Sequence, residues 1–215
     1  GDTPIFPTPV VGVLGIIDDV ARRVPSGWQD AGDNIYLLGV TSTELSGSAW
    51  AGTIHDHLGG RPPKVDLAQE KPSASGPRAT MWKSLLASAH DLSDGGLAQA
   101  LAEAVLRFGV GARVWLREIM ERDGVDAASA LFSESTGRVI VSVPREDDVR
   151  FRGLCEGRGY PVLRIGVTDS PASGEPMLDV QDLFSVSLSE LRGLSRDTLP
   201  ALFGPVISED QEASA

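Results

Sequence analysis

The residues best suited to chemistry stand together in His90-Asp91-Leu92-Ser93-Asp94-Gly95-Gly96-Leu97. Two carboxylates, a hydroxyl and an imidazole are followed at once by a glycine pair. Carboxylate oxygens are hard ligands, and Mg2+ is typically held by one or two of them together with phosphate oxygens. Backbone N–H groups at the start of a helix attract anions, and glycine lets a backbone come close to its ligand. Asp94 is expected to cap the helix that follows, its carboxylate accepting from the first-turn amides. The stretch therefore reads as a phosphate-and-magnesium site. It also fits a plainer reading, a tight turn ended by a good cap.

A second candidate is Leu131-Phe132-Ser133-Glu134-Ser135-Thr136-Gly137-Arg138. It sets two hydroxyls, a carboxylate and a guanidinium between a helix and a buried strand. Such a turn can hold an anion or a metal-bound water, or it can be a polar turn with Glu134 and Arg138 paired across it. His55-Asp56-His57 is not read as a metal site: alternating imidazoles face one way only on a strand, and these fall at a helix end beside glycines. The single cysteine, Cys155, lies in a helical run and is expected to pack rather than react.

Strands and helices must position these groups. Leu85 to Ala89 reads as a short buried strand emptying into the polar turn, and Leu97 to Phe108 carries apolar residues at helical spacing. Val10 to Ile17 is nearly continuous and β-branched, the pattern of a strand buried on both faces. Ile35 to Val40 is another buried strand, announced by the turn Ala31-Gly32-Asp33-Asn34, and Glu44 to His57 is expected to be helical. Past the centre, strands are expected at Ala112–Leu116, Arg138–Val143, Pro161–Val167 and Met177–Val180, with helices over Asp126–Phe132 and Glu146–Gly157. Ser187-Leu188-Ser189-Glu190 is a capping box opening a last helix towards Phe203. Gln69 to Arg78 is rich in Pro, Ser and charge and reads as a linker. The fold class is α/β, in an α+β layered form.

The 215 residues are 41% hydrophobic and 23% charged, with a net charge of -11. That excess of acid argues against a nucleic-acid surface, and no apolar run reaches membrane-spanning length. One cysteine allows no internal disulfide, which suits a reducing cytoplasm. Gly1-Asp2-Thr3 lacks an initiator methionine, and the first strand needs a sheet to join, so a piece of a longer protein is expected.

Several motifs run in one order: Pro7-Thr8-Pro9-Val10-Val11-Gly12-Val13-Leu14-Gly15, Gly32-Asp33, Glu44-Leu45-Ser46-Gly47-Ser48, Gly59-Gly60-Arg61-Pro62-Pro63-Lys64-Val65-Asp66-Leu67, His90 to Ala98, and Leu131 to Ser135. In this series the chain resembles phosphoribosylformylglycinamidine synthase of the PurL type, most closely the actinobacterial small-subunit form. The resemblance implies two fused copies of an A domain plus a B domain, each like aminoimidazole ribonucleotide synthetase (PurM-like). Residues 1–67 would be the tail of the second A domain, 68–78 a linker, 79–205 the second B domain and 206–215 a disordered tail. It implies an ATP-dependent C–N ligase of purine biosynthesis, making the amidine, ADP and phosphate from formylglycinamide ribonucleotide and glutamine-derived ammonia. The implied partners are a glutaminase subunit (PurQ), a small PurS subunit and the N-terminal domains of the same protein; the implied cofactors are Mg2+ and ATP/ADP.

Position by position, Asp91 matches a magnesium-ligating aspartate of the family's auxiliary nucleotide site, and Ser93 a serine beside it. Asp94, Gly95 and Gly96 complete the nucleotide turn. Ser133, Glu134 and Ser135 lie where the first B domain has a substrate-contacting turn, related by pseudo-symmetry. The family's catalytic histidine lies in domains this chain lacks and matches none of His55, His57 or His90. No catalytic residue is therefore expected here, and the chain by itself is expected to be inactive. Residues 69–81 depart from the family. The alternatives are another ATP-using enzyme of the same superfamily, or a non-catalytic dimerisation or structural module.

Overall fold

The computed structural model describes residues 9–57, 59–67, 84–170 and 174–203; the expected linker Gln69–Arg78 and the tail after 205 lie outside them. In chain order the strands are β1 (Asn34–Leu38), β2 (Ser88–Asp91), β3 (Gly111–Val114), β4 (Val139–Val143), β5 (Val162–Asp169), β6 (Met177–Val180) and β7 (Phe184–Ser187). The helices are α1 (Ala49–His55), α2 (Gly96–Phe108), α3 (Arg117–Asp123), α4 (Ala127–Phe132), α5 (Asp148–Glu156) and α6 (Leu188–Phe203). The strands form one mixed sheet in the order β2-β4-β1-β5-β3-β6-β7, with β3 and β6 its parallel pair.

Strand β1 shows why this sheet forms. Successive side chains of a strand point to opposite faces, and Ile35 and Leu37 enter one apolar cluster while Tyr36 enters the other. The first face is covered by α2, α3, α4 and α6. The second is covered by α5, whose Phe151 and Cys155 are fully buried beside Tyr36. Cys155 is thus a packing residue, and burial pushes its thiol up to about 11.

Two expectations need correction here. β1 pairs with β4 on one side and β5 on the other, so a domain division at 67–79 does not divide the sheet. The segment from about residue 30 belongs to the same layer as residues 84–203. The second correction concerns Val10–Ile17, which forms no strand. Val10, Val13, Leu14 and Ile16 are each more than 90% exposed: 94%, 93%, 96% and 94%. An all-apolar strand is stable only between neighbours that cover both faces, and no described strand pairs with this run.

The helix behind the candidate site is α2. Leu97, Ala100, Leu101, Ala104 and Val105 are buried, the i, i+3, i+4 stripe of a helix laid on a core. It stops at Gly109, in the left-handed conformation, whose N–H reaches the Val105 carbonyl. β2 begins at Ser88, three residues later than expected from Leu85, and ends at Asp91. The turn between Asp91 and α2 therefore stands at one outer edge of the sheet.

Candidate functional site

Asp91, Ser93 and Asp94 come together, with His90, Gly96, Gln99, Ala100 and Glu103, around an open cavity of about 260 Å³. Asp91 is exposed at the end of β2, and the Ser93 hydroxyl donates to its Oδ2. That hydrogen bond holds the Asp91 carboxyl below its ordinary value, with a weaker contribution from His90. His90 Nε2 lies 2.9 Å from Glu103 Oε2, and its Nδ1 lies 2.7 Å from the Asp91 carbonyl oxygen. The imidazole is thus fixed at both nitrogens and orients the wall rather than facing into open space. The donors around the cavity are mostly oxygens, a set suited to a hard divalent cation. Among the described residues no three His, Cys, Asp or Glu side chains converge to hold a metal by themselves. An ion bound at Asp91 would have to complete its shell with water and phosphate oxygens.

The helix opening itself departs from expectation. The residue capping α2 is Gly95, with φ +77°, and Asp94 makes no capping bond. Gly95 N–H instead donates to Glu134 Oε1 at 2.8 Å, and Gly96 N–H to the Ser93 carbonyl at 3.0 Å. Asp94 cannot cap because the left-handed Gly95 turns the chain between them. The glycines serve the fold as well as the cavity. Gly96 has φ +63°, and a methyl there would strike the Ser133 carbonyl and lie 2.9 Å from that of Leu131.

Ser133, Glu134 and Ser135 are brought to this place, but their hydroxyls face inward. Ser133 Oγ donates to the Ser42 carbonyl at 2.6 Å and accepts from Glu44 N–H at 3.1 Å; Ser135 Oγ accepts from Ser42 N–H at 2.9 Å. Both residues are buried. They clip the segment after β1 onto the turn before β4. Arg138, 2% exposed, does not pair with Glu134. Its guanidinium donates to the Ser133 and Ser135 carbonyls and to Thr41 Oγ1. Burial lowers its pKa to about 10, opposed by the surrounding carboxylates of Glu44, Asp123 and Glu134. The serines therefore serve as structural clips, leaving only Glu134 of the three near the cavity.

Glu134 is the residue whose use sequence reasoning missed. Its Oε1 accepts from Gly95 N–H, at the opening of α2, and from Ala49 N–H at 2.8 Å, at the opening of α1. α1 also has its expected local cap, Ser48, whose Oγ accepts from Ala51 N–H at 3.2 Å. The signal was available: an acidic residue in a turn, with two helix starts of unmet donors to reach. His55 and His57 stay at the end of α1, where Asp56 adopts the left-handed conformation, as the cap reading expected.

The family described as "AIR synthase related protein, C-terminal domain" matches residues 30–178. A curated relative, the phosphoribosylformylglycinamidine synthase subunit PurL of Leifsonia xyli subsp. xyli, is 70% identical over 207 residues, covering 96% of this chain and 27% of its own length. The chain thus spans about a quarter of that relative. Among solved structures, T. maritima PurL complexed with FGAR superposes with a TM-score of 0.65 at 20% identity, covering 80% of this chain and 30% of the other. The same protein complexed with ATP gives 0.59 at 19% identity, covering 80% and 27%. These structural likenesses speak for the fold. With the match beginning at residue 30, where β1 joins the sheet, the chain belongs to the AIR synthase related family through its C-terminal domain, in the form carried by PurL subunits of phosphoribosylformylglycinamidine synthase.

Proposed function

We propose that this chain is the closing part of a PurL-type subunit and works in ATP-dependent amidation of formylglycinamide ribonucleotide. The observation that carries this is the 70% identity to a PurL subunit over 96% of the chain. In the complete protein the amide oxygen of the substrate would take the γ-phosphoryl group of ATP, releasing ADP, and would leave as phosphate when ammonia bonds to the amide carbon. Products are the amidine, ADP and phosphate. A glutaminase subunit and a small subunit would deliver the ammonia, in the cytoplasm. The residues before about 30 would close the preceding A domain.

Within this division of labour the chain supplies a rigid layer and an acidic mouth. Asp91 would hold Mg2+ through one carboxylate oxygen, with Ser93 orienting that carboxylate. Magnesium supplies neutralisation of a nucleotide's phosphates. Asp94 and Gly96, which line the cavity, and Gly95 between them would form the rim against which those phosphates lie. In this reading the part of the cavity is to bind and position.

The test is turnover of the complete subunit and of this chain alone, each given formylglycinamide ribonucleotide, ATP, Mg2+ and ammonia. ADP and the amidine should appear together, in equal amounts, only with the complete subunit. Absence of amidine from the complete subunit, or turnover by this chain alone, would overturn the reading.

A further inference from the structure

Glu134 joins two elements that are far apart in sequence. A single oxygen accepts the N–H of Ala49, which starts α1, and of Gly95, which caps α2. Helix openings carry unmet donors and a partial positive charge, so a carboxylate between two of them is stabilised by both. The turn bearing Glu134 cannot shift freely to compensate. Ser133 and Ser135 lock it to Ser42 and Glu44, and Arg138 locks it from beneath. A change at Gly95 is therefore felt at Ala49.

We propose that Glu134 is a positioning residue that couples occupation of the Asp91 cavity to the seating of the 42–49 segment. A phosphate oxygen at the Gly95 N–H competes for it with the Glu134 carboxylate, because two anions repel each other across one donor. The carboxylate then loses half of its anchorage, and its hold on α1 weakens. By thermodynamic reciprocity, whatever presses α1 into place also favours Glu134 on Gly95 and disfavours the anion. The coupling between α1 and α2 stands on the geometry above; its response to nucleotide rests on the function proposed for the cavity.

Hydrogen exchange on the complete subunit, followed by mass spectrometry of peptides covering 48–52 and 94–98, separates the two. Without nucleotide, E134A should speed exchange in both peptides together, by about ten- to hundred-fold, as loss of a charged acceptor implies. E134Q keeps an acceptor oxygen and should restore most of that protection. Acceleration in only one peptide would overturn the coupling. Mg-ADP added to the unsubstituted subunit, which needs no variant to fold, should protect 94–98 and speed 48–52. Protection of 94–98 with 48–52 unchanged would overturn the displacement of Glu134. No response at 94–98 would instead overturn the nucleotide reading of the cavity, leaving the E134A comparison to decide the coupling.

Discussion

Arg138 is kept inside the protein by oxygens: the Ser133 and Ser135 carbonyls and the Thr41 hydroxyl all accept from its guanidinium. Replacing it with Met fills much of the space but leaves those acceptors without a donor. An unmet buried polar group costs about 1–3 kcal/mol. Arg138→Met should therefore lower stability by about 2–4 kcal/mol, read from the urea midpoint. A midpoint unmoved by the substitution would mean the clip carries no weight. Asp33 presents the opposite case. Burial, then the carboxylates of Asp30 and Glu146, push its pKa from 3.8 to about 6. The folded protein holds this proton more tightly than the unfolded chain does. Its favourable contribution is present at low pH and is lost as pH rises from about 4 through 6. Asp33→Asn should thus raise the melting temperature above pH 6, with the gain fading towards pH 4. An equal gain at both ends would contradict the burial account.

At the scale of elements, the opening of α2 depends on glycine. Gly96 lies at φ +63° against the Leu131 and Ser133 carbonyls, and a left-handed residue with a Cβ costs about 1–2 kcal/mol before any clash. Gly96→Ala should cost more than that and loosen the 131–135 turn, seen as a lower melting temperature with faster exchange there. Retention of both would show the approach is not tight. Local pattern revealed most of these elements. The α2 stripe, the Asp126 cap that opens α4 (its carboxylate accepts from Ser129 N–H at 2.7 Å) and the Ser187 bond to Glu190 N–H all lie where the residues announce them. Helix α3 and strand β7 were missed: α3 is mostly charged and buries one residue, Ile119, and no residue of β7 is buried, so neither shows an apolar face to read. The cap on α2 was misassigned for a different reason. Asp94 is the better local candidate, yet the cap is Gly95, whose N–H goes to the distant Glu134, and no local rule reaches that far. Asp91 and Ser93 were legible as neighbours; the wall supplied by Glu103 was not, because it comes from the third turn of α2.

The molecule as a whole is an acidic α/β layer whose sheet ends in β2 at one edge and β7 at the other. β1 lies inside its sheet, between β4 and β5, yet sequence reading set it in the preceding domain, because a strand shows its period but not its partners. The run Val10–Ile17 reads as a buried strand and lies bare among the described residues; its pattern describes an environment that these residues do not provide. About a quarter of a PurL subunit's length is present in this chain, so the cavity at Asp91 has to be tested in the complete protein. Calorimetric titration of Mg-ADP into the complete subunit and its Asp91→Asn variant does so most directly. Loss of one charged oxygen ligand should weaken binding at one site by about tenfold or more, the scale of a charge-assisted contact. Identical titrations for the two proteins would contradict a metal-nucleotide role for Asp91.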